Sequence, residues 1–166
     1  GGVVATAPSQ VNLGGIVASS SNVITLGDAD TPIVLIANTN VNSGTAALNF
    51  GGTVNGAYFL YANSGDNATF SKAVGTSTAL TSITTNANGT TYINGGAVTT
   101  SGTQTYNDAI VLGANTTITT TNSDVSFAST INGGTYNLTL DAGSGGLITS
   151  SGGISNMNTL TLTNSN

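Results

Sequence analysis

The sequence predicts an all-β protein whose chain winds as a parallel β-helix, a β-solenoid of roughly eight coils. Three observations carry this. Charged residues are 4% of the 166 positions, against roughly 25% in a typical soluble protein, while Val, Ile, Leu, Tyr, Phe and Thr recur from end to end. Short apolar runs of period two are separated by clusters of Gly, Asn, Asp and Ser, and no stretch of about eleven residues keeps a helical period. Apolar positions also recur at a long fixed offset, the mark of a repeat architecture.

The alternating runs give the elements in order: Val11 to Leu13, Val23 to Leu26, Ile33 to Ile36, Ala47 to Phe50, Tyr58 to Tyr61, Ala68 to Phe70 and Leu80 to Thr84. They continue with Thr91 to Ile93, Ala109 to Leu112, Thr117 to Thr119, Val125 to Phe127, Tyr136 to Leu140, Leu147 to Thr149 and Leu160 to Leu162. Between them Asn-Gly occurs at Asn55-Gly56, Asn88-Gly89, Asn94-Gly95 and Asn132-Gly133. Such a pair adopts positive φ with little strain, so it serves a hairpin turn or a solenoid corner equally well.

Repetition favours the corner. Ala37-Asn38-Thr39 recurs as Ala114-Asn115-Thr116; Leu48 then matches Val125, Phe50 matches Phe127, and Thr53-Val54-Asn55-Gly56 matches Thr130-Ile131-Asn132-Gly133, all at an offset of 77. Roughly four coils of about 20 residues fit that period. Residues 1–37 are then N-terminal coils or a capping segment, and residues 38–166 the repetitive solenoid. Each strand would stack on its counterpart about 4.8 Å away, and eight coils would make a rod of about 38 Å. Val, Ile, Leu and Phe would stack inside, Thr and Ser would cover the outside, and Asn amides would bond along the corners. The stretch TSGTQTYNDAIVLGANTTITTT, residues 100–121, is slightly more than one such turn.

Composition excludes much chemistry. Lys72 is the only base, and Arg, His, Glu, Cys and Trp are absent. With a net charge of −5, the chain cannot neutralise a row of phosphates, so nucleic acid is excluded as a partner, as is electrostatic docking to anionic lipid. The longest apolar run, Pro32 to Ala37, falls far short of the roughly 18 residues of a transmembrane helix. The start, GGVVATAP, lacks the features of a signal peptide and reads as a mature or cut end; any export signal would lie outside this chain.

Residues 52–121, and the phrase DVSFASTINGGTYNLTLDAGSG at 124–145, resemble the repeats of large secreted bacterial adhesins of the filamentous haemagglutinin type. The likeness covers roughly residues 38 to 163 and rests on the cadence TSGTQTYNDAIVLGANTT followed by a V-S-F strand and an N-G-G turn. It implies a right-handed parallel β-helix forming the shaft of a long surface protein, exported across the Gram-negative envelope by a two-partner or autotransporter route. The secretion domain of full-length members has no clear counterpart here.

Each candidate site has a plainer reading. Asp28 and Asp30 in LGDADTP are the only close carboxylate pair; calcium or acid/base chemistry would use such a pair, but Asp-x-Asp before Thr-Pro also caps a loop. A glycosidase would need two carboxylates facing one bond, which pairing across coils would have to supply. Gly143 to Gly146 and Gly152-Gly153 lack the Lys-Ser/Thr of a phosphate loop and read as tight corners. Thr117, Thr119 and Thr121, with Thr159, Thr161 and Thr163, form ladders that would suit an ice-binding face or an ordinary strand surface. Sequons begin at Asn67, Asn88, Asn115 and Asn137, about as many as this composition yields by chance. Tyr58, Phe59 and Tyr61 in YFLY make the densest apolar patch, for adhesion, lateral packing or capping.

The expectation is therefore a structural or adhesive shaft of a secreted surface protein or filament, with no catalytic, metal or cofactor-binding residues and no cofactor. Its partners would be further copies, end to end or along a filament, and host or neighbouring cell-surface glycans or proteins. The alternative is a filament subunit of β-sandwich fold whose terminus, Val3 to Ala7, completes a neighbour's sheet. A solenoid glycan hydrolase and an ice-binding protein stand behind these.

Overall fold

A computed structural model describes residues 2–163. The chain is a β-solenoid of about seven turns, slightly fewer than the composition of repeats suggests. One eight-stranded face stacks β1 (Val3–Ala5), β3 (Ile24–Leu26), β5 (Leu48–Phe50), β8 (Asn67–Phe70), β10 (Thr90–Ile93), β13 (Ala109–Leu112), β16 (Ile131–Asn132) and β19 (Ile154–Ser155). A second stacks β2 (Val11–Ala18), β4 (Ile33–Asn42), β7 (Phe59–Asn63), β9 (Ser82–Thr85), β12 (Gln104–Tyr106), β15 (Val125–Phe127) and β18 (Ile148–Ser150), with β6 (Val54–Asn55) on the flank of β4. The third holds β11 (Ala97–Thr100), β14 (Thr116–Thr120), β17 (Asn137–Asp141) and β20 (Thr159–Thr163). Every strand pairing among the described residues is parallel, so the β-sandwich alternative falls. β1, the would-be donor strand, is already paired with β3 of its own chain.

Equivalent side chains stand in columns because each strand alternates one residue in and one out. One column starts in the leading ends of β2 and β4, passes through β6 and continues onto the third face: Val11, Ile33, Val54, Val74, Val98, Ile118, Leu140, Leu162, each 20 to 24 residues after the last. On the first face another runs Ala5, Leu26, Phe50, Phe70, Ile93, Leu112. The Phe50 and Phe70 rings lie 4.8 Å apart and 3° from parallel, which is the spacing of the ladder itself. These columns are the core.

The 77-residue offset does not follow the columns. Phe50 sits on the first face between Leu26 and Phe70; Phe127 sits on the second, over Tyr106. An offset of three and a half coils carries a residue to another face, and the match arose because inward positions of any face favour the same residues. Residues 2–37 form coils of the same ladders, and position 37 falls inside β4.

Backbone direction is as regular as the side chains. Inward residues donate their N–H to the following coil: Val3 to the Val23 carbonyl, Val11 to Pro32, Val54 to Ala73, Val74 to Ala97, Ile110 to Thr130 and Val125 to Leu147. Residues beside them donate to the preceding coil, as Thr81 does to Tyr58, Thr99 to Val74 and Thr117 to Gly96. Corners are tied by small hydroxyls: Ser43 and Ser64 both donate to the Ala46 carbonyl, at 2.7 and 2.9 Å, and Thr116 to that of Ala114 at 2.9 Å. These bonds satisfy carbonyls where the chain leaves the ladder.

Candidate functional site

The Asp28-Asp30 pair is a turn. The Asp30 N–H donates to Asp28 Oδ1 at 3.1 Å and the Thr31 N–H to the Asp28 carbonyl at 3.3 Å. The Thr31 side chain, with the Asp30 N–H, holds the Asp28 carboxyl below the usual range. Both aspartates are exposed. Asp124 and Asp141 are likewise spent on loops, accepting from the Leu147 and Gly143 N–H groups at 2.9 and 3.0 Å. Among the described residues no three acidic side chains gather as a metal site would require, and no helix is long and apolar enough to cross a membrane.

The other motifs resolve into the coil. Gly146 is packed so that a Cβ would meet the Ala142 carbonyl oxygen at 2.3 Å and the Ser123 carbonyl at 2.4 Å, as a corner between stacked coils demands. On the third face Thr117, Thr139 and Thr161 stack, but the neighbouring column reads Thr99, Thr119, Asp141, Thr163, so the hydroxyl array is interrupted by a carboxylate. Thr121 lies beyond β14. Of the sequons, Asn115 accepts from the Asn137 N–H at 3.0 Å and Asn137 accepts from Asn158 at 2.7 Å, both across one coil. Asn amides bond along the axis elsewhere too, from Asn63 to Asn40 at 3.1 Å and from Asn86 to the Ser64 carbonyl at 3.0 Å.

Inside the rod lies a polar cluster that the composition hid. Gln104, Tyr106 and Asp108 all point inward and are buried. The Tyr106 hydroxyl donates to Gln104 Oε1 at 2.7 Å, while Gln104 Nε2 donates to the Thr119 and Val98 carbonyls at 2.9 and 3.2 Å, bridging the second face to the third. Thr85 and Thr91, one coil earlier, both donate to Asp108 Oδ1, at 2.7 and 2.9 Å. Asp108 Oδ2 is buried without a partner. Burial pushes the Asp108 carboxyl up, against the pull of the two threonine hydroxyls, and pushes the Tyr106 phenol up as well. The signal was present in QTYNDAI: counting back by twos from Ile110 places Asp108, Tyr106 and Gln104 on the inward side. The cluster braces the interior between the second and third faces, and no cavity opens beside it among the described residues.

Outside, the YFLY patch splits as a strand divides it. Leu60 is buried, whereas Tyr58, 38% exposed, and Tyr61, 41% exposed, face solvent. Tyr58 precedes β7, so the alternation that would have turned it inward has not yet begun. Phe59 and Tyr61 meet edge to face with ring centroids 5.1 Å apart.

These features define a parallel β-solenoid with a hydroxyl- and amide-rich skin. No family model, curated protein or solved structure matches the chain.

Proposed function

We propose that this chain is a length of structural, adhesive shaft from a secreted or cell-surface protein, extended axially by further coils. The observation that supports the reading most is the state of the two ends. Ile154, Leu160 and Leu162 continue the core columns and stand 39, 41 and 53% exposed in the last described coil. At the other end β1 and β2 offer a free edge, since Val3 and Val11 bond only forward. Apolar columns and unpaired strand edges of this kind are stabilised by another coil stacked on them. Seven steps of about 4.8 Å give the unit a length of about 34 Å. A neutral skin keeps such a rod hydrated at any ionic strength.

The test uses the direction of the backbone. Asn12 is exposed between the inward residues Val11 and Leu13, so its N–H points off the free edge and proline there costs no bond within the coil. Concentrated protein is expected to form end-to-end rods by electron microscopy. Asn12→Pro should leave the circular dichroism spectrum intact and abolish rod growth. Rods of unchanged length would reject axial stacking.

A further inference from the structure

The outer side of the second face carries two adjacent aromatic rings that meet solvent on a flat ladder. Phe59 and Tyr61 lie in the middle row. Asn40 stands over Tyr61 and Asn42 over Asn63 in the preceding coil, with Asn38 bonded to the Phe59 N–H at 3.3 Å. Ser82 and Thr84 flank the rings in the following coil. Three strands therefore set two rings between a row of carboxamides and a row of hydroxyls, about 4.8 Å apart along the axis.

The carboxamides are held in one orientation. Asn38 Oδ1 accepts from Phe59 N, Asn40 Oδ1 from Asn63 Nδ2 at 3.1 Å and Asn42 Oδ1 from Gly44 N at 2.8 Å. Their amide N–H groups have no protein acceptor among the described residues, so three donors face outward beside the rings. No charged side chain belongs to this surface.

We propose that this face binds a neutral oligosaccharide: the apolar side of a pyranose ring lies on Tyr61 and Phe59, and its hydroxyls accept from the amides of Asn38, Asn40 and Asn42. Three arguments favour that occupant. An aromatic face flanked by fixed donors matches a molecule with an apolar face and a polar rim. The lack of charge gives no purchase to an acidic or basic partner. The apolar area is small: two partly covered rings offer at most about 300 Å², well below the roughly 800 Å² per side of a stable protein interface, and Asn40 separates Tyr61 from the exposed Ile16 in the same column.

This deepens the adhesive half of the shaft reading and rests on it only for the exposure of this face. Binding is read on a single dispersed copy and rod growth on the ends, so either can fail alone. The experiment is a nitrogen-15 correlation titration of the whole chain, carrying Asn12→Pro to suppress stacking, with cellohexaose, maltohexaose and the acidic hexagalacturonate at up to about 10 mM. Shifts are expected at the amides of residues 38–42, 59–63 and 82–84 with a neutral hexasaccharide, and weaker ones with the acidic probe. Tyr61→Ala should weaken binding about tenfold, while Thr105→Ala, outward on the same sheet two coils on, should not. Absence of shifts with both neutral probes, stronger binding of hexagalacturonate, or unchanged affinity in Tyr61→Ala would overturn the proposal. So would self-association that Tyr61→Ala removes, which would assign the face to a second copy.

Discussion

Phe50 and Phe70 provide the sharpest test of the column principle. Both rings are fully buried, stacked 3° from parallel at 4.8 Å on adjacent coils. Replacing either by Leu keeps an apolar side chain of similar bulk, at about 1–1.5 kcal/mol, and also removes the stack, worth about 0.5–1.5 kcal/mol beyond the buried area. Each single variant should therefore lose about 2 kcal/mol. The double variant loses the stack once, so its cost should fall short of the sum by about 0.5–1.5 kcal/mol. Phe127, the 77-residue counterpart of Phe50, supplies the control. It lies on another face and against Tyr106, with ring centroids 5.3 Å apart. Three steps along the ladder from β5 to β13 already separate the coils by about 14 Å, so Phe50→Leu and Phe127→Leu should add within about 0.5 kcal/mol. Urea unfolding followed by circular dichroism gives all the values, provided the denaturant slope is unchanged. Additivity of Phe50 with Phe70, or coupling of Phe50 with Phe127, would refute stabilisation by nearest neighbours along a column.

Two further outcomes follow from the interior. The Asp108 pKa is raised on folding, so its protonated form is the one the fold favours: its contribution to stability is complete below the unfolded value of about 3.9 and is lost as pH rises through the folded value. Urea midpoints should therefore show a decline with rising pH that Asp108→Asn flattens, and an identical profile in both proteins would contradict the linkage. Gly75 has φ of 73°, is buried, and a Cβ there would lie 2.0 Å from the Thr99 carbonyl oxygen. Gly75→Ala should cost at least about 2 kcal/mol, measured by the same melts; a stability within 0.5 kcal/mol of the parent, about the scatter of neutral surface changes, would show that the corner yields.

How much of this was legible depended on what faces inward. β13 and β15 coincide with the predicted runs because Ile110, Leu112, Val125 and Phe127 supply an unbroken apolar alternation. β12 was missed because its inward residues are Gln104 and Tyr106, and β11 because Thr100 joins Val98 on the inner side. β4 extends six residues past Ile36 through Ala-Asn-Thr-Asn-Val-Asn, where outward asparagines mask the buried Thr39 and Val41. β6 and β16 hold two residues each, too few to show any period. The outward grid around Tyr61 was half visible: YFLY announced the rings, but their asparagine neighbours come from 21 residues earlier, and only the coil length brings them alongside. A repeat offset taken from residue likeness cannot supply that length, since it rewards any inward position on any face.

The same alternation that builds the core also makes the two ends unlike. Inward residues send their N–H groups toward the following coil, so the groups left open at the C-terminal end belong to residues such as Leu160 and Leu162, whose side chains are the exposed core. At the N-terminal end the open groups belong to outward residues such as Val4 and Asn12, while Val3, Val11 and Leu13 close the core beneath them. One end thus presents exposed apolar columns with open inward N–H groups, and the other presents open outward N–H groups above the buried Val11 and Leu13, so the two are not interchangeable. Under the proposed axial stacking, such a contact would use different surfaces on its two sides and would not close on itself, giving extended rods rather than dimers. A rod of this kind gains length without any charged or covalent joint, which is consistent with a chain that carries one lysine and no cysteine.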